Sequence, residues 1–295
     1  MSILWVLVIP ALYTISNLAD KCLLDGDGED SEPRALMTLG GFFSLFALLP
    51  AGIWVYFSHS SFGTLGNIIP LMFNEILFVV ATWIYLAVMK KEESTRVVPW
   101  MQSIPIFGMI GGAILLNEMP SGVKILAVLV LVAGGFLLSY HNGRMNKKIV
   151  GTMILVSIIF AVYDVIFAKY GRTMDDSVAI FINLAGKFVW TLLFLVNKKT
   201  RQGVLTGLKT KIKGQTLSEM TSTIGNIGLC LALLYFPVNA VQALCCSQPM
   251  FLLIGALVLT NFFPQIVCEE TEGLTLAQKS LGIILVITGG VILSI

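Results

Sequence analysis

Ser103-Ile104-Pro105-Ile106-Phe107 returns near the end of the chain as Ser247-Gln248-Pro249-Met250-Phe251, a shift of 249 − 105 = 144 positions. The same shift carries Gly111 onto Gly255 and Glu75 onto Glu219. Both glutamates lie inside long apolar segments, where a charge is costly. A segment that repeats with its acid in place points to a duplicated membrane unit.

Composition agrees with that direction. The chain has 295 residues, 56% of them hydrophobic and 12% charged, with a mean hydropathy of +0.87. Soluble domains carry about a quarter charged residues. Apolar runs of roughly 20 residues are long enough for a helix to cross about 30 Å of hydrocarbon. Backbone groups in lipid must pair within their own segment, which favours helices. The period-two alternation of a β-barrel is absent.

Hydropathy and turn residues predict an all-α polytopic membrane protein with about ten spans, at roughly 2–22, 35–57, 66–88, 95–116, 122–140, 149–169, 177–197, 215–235, 238–260 and 277–295. The longest connection, 198–214, is rich in Lys and Gly and is expected to be a loop. Val132-Ala133-Gly134-Gly135-Phe136 matches Ile287-Thr288-Gly289-Gly290-Val291 at a shift of 289 − 134 = 155. The change from 144 to 155 implies an insertion of about 11 residues, placed between Asn261 and Glu272. The halves are then 1–141 and 142–295, with five helices each. An odd number of spans per copy makes the repeat inverted, and sites in such folds lie at the repeat interface near the midplane. Basic residues crowd the loops after helices one, three, five, seven and nine, including Arg34, Lys90, Lys91, Lys147 and Lys198. The positive-inside rule therefore puts those loops in the cytoplasm and both termini outside.

Ten helices in two halves, each with a Pro-x-Phe helix, a short polar turn and a Gly-Gly helix, resemble the drug/metabolite transporter superfamily, and most of all its EamA-type members. The resemblance covers essentially the whole chain through diffuse motifs. It implies a transporter of amino acids, related metabolites or hydrophobic compounds in an inner or plasma membrane, with no cofactor and no enzymatic activity. It also implies an acid after each Pro-x-Phe helix. Glu118 takes that place in the first half; in the second, Glu269, Glu270 or Glu272 stands displaced by the insertion. Family habit places both termini in the cytoplasm, against the loop charges.

Glu75, in Phe73-Asn74-Glu75-Ile76, falls about nine residues and so roughly 13 Å into its helix. An acid at that depth is a functional candidate unless a neighbour satisfies it, and desolvation suits it to exchanging a proton. Glu219 is its repeat mate, close behind Lys211 and Lys213 and so expected to be shallower. Asp164, in helix six, is a third proton- or substrate-coupling candidate. Lys187, mid-helix in Gly186-Lys187-Phe188, could pair with a glutamate, hold an anionic group, or snorkel. Trp100 and Gln102 lie between Pro99 and Pro105, where released carbonyls invite bending. With Asn183, Asn226 and Gln242 they are candidates for binding substrate or for gluing helices together. The Gly108/Gly112 spacing is expected to be close packing.

Other chemistry is poorly served. The acidic loop from Asp25 lacks the glycine and final glutamate of a calcium loop. His59 and His141 both lie in loops, so neither a zinc site nor a Ser/His/Asp set is expected. No phosphate-binding glycine motif follows a strand, and scattered basic residues give no nucleic-acid surface. The cysteines are expected to be buried thiols. The first segment has no basic leader and is expected to stay as a helix. The expected partners are a small-molecule substrate, lipid and candidate coupling protons, with a homo-oligomer left open. An anionic-metabolite exchanger centred on Lys187, or a non-transporting scaffold or sensor, is the alternative.

Overall fold

Pro33, at the first position of a helix, has a fixed φ suited to helix entry and no N–H to leave unpaired. It opens α2 (Pro33–Phe57), one of eleven α-helices among the residues that the computed structural model describes, 3–25, 28–92, 97–139, 147–252, 254–255 and 276–294. A 3-10 turn at Ile3–Leu7 leads into α1 (Val8–Leu24). After α2 come α3 (Leu65–Met89), a 3-10 segment at Val98–Ser103, α4 (Ile104–Leu115) and α5 (Gly122–Ser139). The second half supplies α6 (Lys147–Gly171), α7 (Asp176–Thr191) with a 3-10 extension to Val196, α8 (Lys198–Thr210) and α9 (Ile212–Tyr235). Last are α10 (Val238–Cys245) and α11 (Leu276–Ser294).

Among the described residues, six helical stretches are long and apolar enough to cross a membrane: Ile3–Leu24, Pro33–Phe57, Leu65–Met89, Lys147–Gly171, Asp176–Val196 and Ile212–Tyr235. Trp100–Leu116, Gly122–Leu137 and Ser280–Gly290 are shorter apolar helices. The chain is thus a polytopic helical membrane protein. One expectation fails. The connection 198–214 is not a loop: Lys198–Thr210 is a helix, capped by the Asn197 side chain, which accepts from the Lys199 N–H at 2.9 Å. Thr200, Gly203, Val204 and Gly207 are buried along one stripe, a helical period hidden by the Lys and Gly content. The insertion near Asn261–Glu272, with its three glutamates, lies outside the described residues, as do Glu93–Arg96 and His141.

Helices in lipid are held by close packing and hydrogen bonds, since the tails are as apolar as the side chains. α5 and α11 show this most clearly. A Cβ on Gly134 would lie 2.9 Å from the Val286 nitrogen and 3.0 Å from the Gly282 carbonyl oxygen, and one on Gly289 would lie 2.9 Å from the Ala127 oxygen. The two contacts are reciprocal, because the 155 shift exchanges 134 with 289 and 127 with 282. Elsewhere α1 packs on α9 and α3 on α6, while α2 meets α7.

The apolar core is split. One cluster, including Val6, Leu71, Phe167, Ile180 and Leu233, fills one end of the bundle. A second, including Leu36, Val79, Met89 and Met153, fills the end nearer the basic loops. Between them lies a layer of buried polar side chains.

Candidate functional site

Glu75 points from α3 into α7 and is wholly buried. Its carboxylate fits because the facing residue is Gly186, where any Cβ would come within 2.5 Å of the glutamate Cγ. Asn183 donates from Nδ2 to Glu75 Oε1 at 2.6 Å and also lies 2.6 Å from the Tyr163 hydroxyl. Asn226, from α9, donates to Asn183 Oδ1 at 2.8 Å. The neighbouring Asn74 donates to the Tyr163 carbonyl at 3.0 Å. Two predicted asparagines and the predicted glutamate therefore form one chain of hydrogen bonds linking α3, α7 and α9.

Glu219 repeats this arrangement from the other side. It projects from α9 against α2, where a Cβ on Gly40 would lie 2.5 Å from its Oε1. Gln215 donates to Oε1 at 3.1 Å, and Lys187 Nζ lies 3.6 Å from Oε2. Lys187 itself is buried, with its ammonium 5.6 Å from the Phe78 ring centroid, a cation–π distance. It does not line the central cavity described below. Its charge nonetheless reaches Glu75, Glu219 and also Asp20.

Asp20 is not among the candidates drawn from the sequence. The repeat itself could have found it, since 164 − 20 = 144 places Asp20 on Asp164. Asp20 accepts a hydrogen bond from Ser218, which also meets Ser16 at 3.1 Å. Asp164 accepts from Gln242 Nε2 at 2.8 Å.

Asp20 and Asp164 line a single cavity of ≈ 150 Å³, together with Tyr13, Tyr163, Gln102 and Gln242. Gln102 and Gln242 are 2% and 3% exposed, and each keeps its side-chain carbonyl oxygen without a hydrogen-bond partner. Gly108 leaves room for the Gln242 amide, since a Cβ there would overlap it. This glycine therefore serves the polar layer as well as helix packing. Gln102 and Cys246, related by the 144 shift, touch across the middle of the bundle, with Cys246 Sγ 3.8 Å from the Gln102 carbonyl.

The predicted residues thus fall into three groups. Asp164, Gln102 and Gln242 share the cavity wall. Glu75, Asn183 and Asn226 form the chain behind Tyr163, and Glu219 and Lys187 form the ion pair. Trp100 stands apart: its ring packs on Phe136 at 5.2 Å, and its carbonyl accepts from Ser157 at 2.9 Å. Among the described residues, no three His, Cys, Asp or Glu side chains gather to hold a metal ion.

Two polar latches lie at the ends. Arg172 reaches Glu118 at 2.6 Å and also donates to the carbonyls of Leu233 and Phe236, while Glu118 accepts from the Val238 N–H at 2.8 Å. Asn117, with φ of 57°, closes α4 in the left-handed conformation and turns Glu118 toward this contact. At the opposite end Lys211 donates to the Leu23 carbonyl at 2.8 Å and the Ser31 hydroxyl at 2.5 Å, with Asp30 at 3.8 Å.

The cavity and the acids on its wall lie inside a polytopic helical membrane protein. Residues 1–140 match the EamA-like transporter family, within the drug/metabolite transporter superfamily, the family that the sequence pattern resembles. No curated protein matches the chain. A solved structure titled only as a crystal structure of a protein superposes with a TM-score of 0.60 at 14% identity, over 97% of this chain and 94% of that one. That likeness shows the fold alone.

Proposed function

We propose that the chain is a secondary transporter that moves a small metabolite by alternating access between two inverted halves, 1–141 and 142–295. The reciprocal packing of Gly134 and Gly289 supports the repeat, because a two-fold axis makes each contact occur twice with its partners exchanged. So does the touch between Gln102 and Cys246. The observation that carries the reading is the cavity where the repeat mates Asp20 and Asp164 meet. Such pockets, with a few convergent polar groups on an apolar wall, are where small ligands bind.

Two acids and two amide oxygens on the wall favour a substrate that carries an ammonium group, such as an amino acid or a related amine. An anion exchanger centred on Lys187 is less well supported, because that ammonium is engaged by Glu219 and lies off the cavity wall. Protons are the proposed coupling ion. The Glu75 carboxylate is wholly buried and its Oε2 has no hydrogen-bond partner, so in a medium of low dielectric it carries a large penalty when ionised. Glu75 is linked to the cavity through Asn183, which donates both to it and to the hydroxyl of Tyr163, a residue of the cavity wall.

Uptake of labelled amino acids and amines into proteoliposomes, with and without a pH gradient, tests the reading. The expected result is saturable uptake that the gradient increases. Asp164→Asn should lower it at least about tenfold, the cost of one charge-assisted contact, and Glu75→Gln should abolish the effect of the gradient. Full gradient-driven uptake in Glu75→Gln would rule out its proton role. Failure of every ammonium-bearing substrate would rule out the substrate class.

A further inference from the structure

A second hollow lies on the outside of the bundle. It runs between α2 and α9, is roofed by α8, and has a volume of ≈ 1050 Å³. Phe42, Phe43, Phe46 and Pro50 line it from α2, and Met220 and Ile227 from α9. Its wall spans Leu39 to Pro50 on one helix and Ile212 to Ile227 on the other, roughly 17 Å and 22 Å at about 1.5 Å per residue. Half the hydrocarbon thickness of a bilayer is roughly 15 Å. The groove therefore has the length of one leaflet's acyl chain.

Its mouth is basic. Arg201, on α8, lines the groove and is exposed, and Lys198 and Lys199 are exposed in the same helix's first turn. Lys209 and Lys213 add exposed charge near its other end. Lys211 is engaged inward by Asp30, Ser31 and Leu23. Basic residues at the membrane surface each attract anionic headgroups by about 1 kcal/mol, and the apolar stripe of α8 against the bundle holds them at that level.

We propose that this groove binds an anionic phospholipid from the leaflet on the basic-loop side. Its phosphate is held at Arg201 and the first turn of α8, and one acyl chain lies between α2 and α9. Glu219 is on the groove wall, so the bound chain covers the Lys187–Glu219 pair from the bilayer side. The site is independent of the transport reading and needs only that the helices cross a membrane.

The test is lipid retention. Protein purified in mild detergent is exposed to phosphatidylglycerol or phosphatidylcholine, exchanged into fresh detergent, and measured by native mass spectrometry together with its oligomeric mass. The wild type should keep about one phosphatidylglycerol and several-fold less phosphatidylcholine. Arg201→Ala, at an exposed position, should lose that preference. Ala47→Trp, which fills the groove, should lose retention of both while keeping a normal melting profile. Equal retention of the two lipids would overturn the proposal, as would an unchanged preference in both variants. A dimer that dissociates in Ala47→Trp would overturn it too, by showing that a second copy covers the groove.

Discussion

Lys187 shows how much of the interior depends on one side chain. It lies 3.6 Å from Glu219, and its charge also reaches Glu75 and Asp20. Removing one partner of a buried ion pair typically costs about 3–5 kcal/mol, while replacing both by neutral groups is close to neutral. Lys187→Met should therefore lower the melting temperature sharply in detergent, and Lys187→Met with Glu219→Gln should recover most of the loss. Failure of the double variant to recover would mean that Lys187 mainly serves Glu75 and Asp20. Sequence reading reached Glu75, Glu219 and Lys187 because each interrupts a long apolar run. Asp20, beside Lys21 at the end of its apolar run, interrupts none and so gives no such signal, although the 144 shift places it on Asp164. Proximity in space is what the sequence could not supply. Nothing in the spacing of Asn183, Asn226 and Glu75 tells that the three form one chain, while Trp100 is left outside it.

At the scale of elements, apolar length placed six of the ten expected spans on helices long enough to cross a membrane among the described residues, since hydrocarbon imposes nearly the same span on each. It failed at α8, whose buried Thr200, Gly203, Val204 and Gly207 are too small and too polar on average to register in a hydropathy window. The Gly-Gly helices were legible as a motif, but their reciprocal approach depends on geometry that only the packed bundle provides. That approach makes a prediction. A valine at either Gly134 or Gly289 must force apart backbone atoms that lie within 3.0 Å of the added carbon, and overpacking costs about 1–3 kcal/mol. Because the contacts exchange partners, Gly134→Val and Gly289→Val should lower the melting temperature by similar amounts. The double variant should fall well short of additive loss, since the first valine already parts α5 from α11. A large difference between the single variants would mean that the two halves pack on each other unequally.

At the scale of the whole molecule, the cavity lies between two latches that join the halves at opposite ends, Arg172 with Glu118 and Lys211 with Asp30 and Ser31. Both are partly exposed, so neither is worth a large free energy by itself. They need not be for the alternating access proposed above, whose states need differ by only a few kcal/mol. Losing one latch should favour the conformation open at that end by on the order of 1 kcal/mol, about a fivefold change in population. Cys245 lines the cavity and is a free thiol, so it can report which end is open. In a variant that keeps Cys245 alone, Arg172→Ala should speed labelling by a membrane-impermeant thiol reagent applied from the Glu118 side. Lys211→Ala should speed it from the opposite side. Because the two states compete for one population, each variant should also slow labelling from the side it does not open. Equal acceleration from both sides would instead mark a loosened bundle, and it would count against alternating access as the way these halves move.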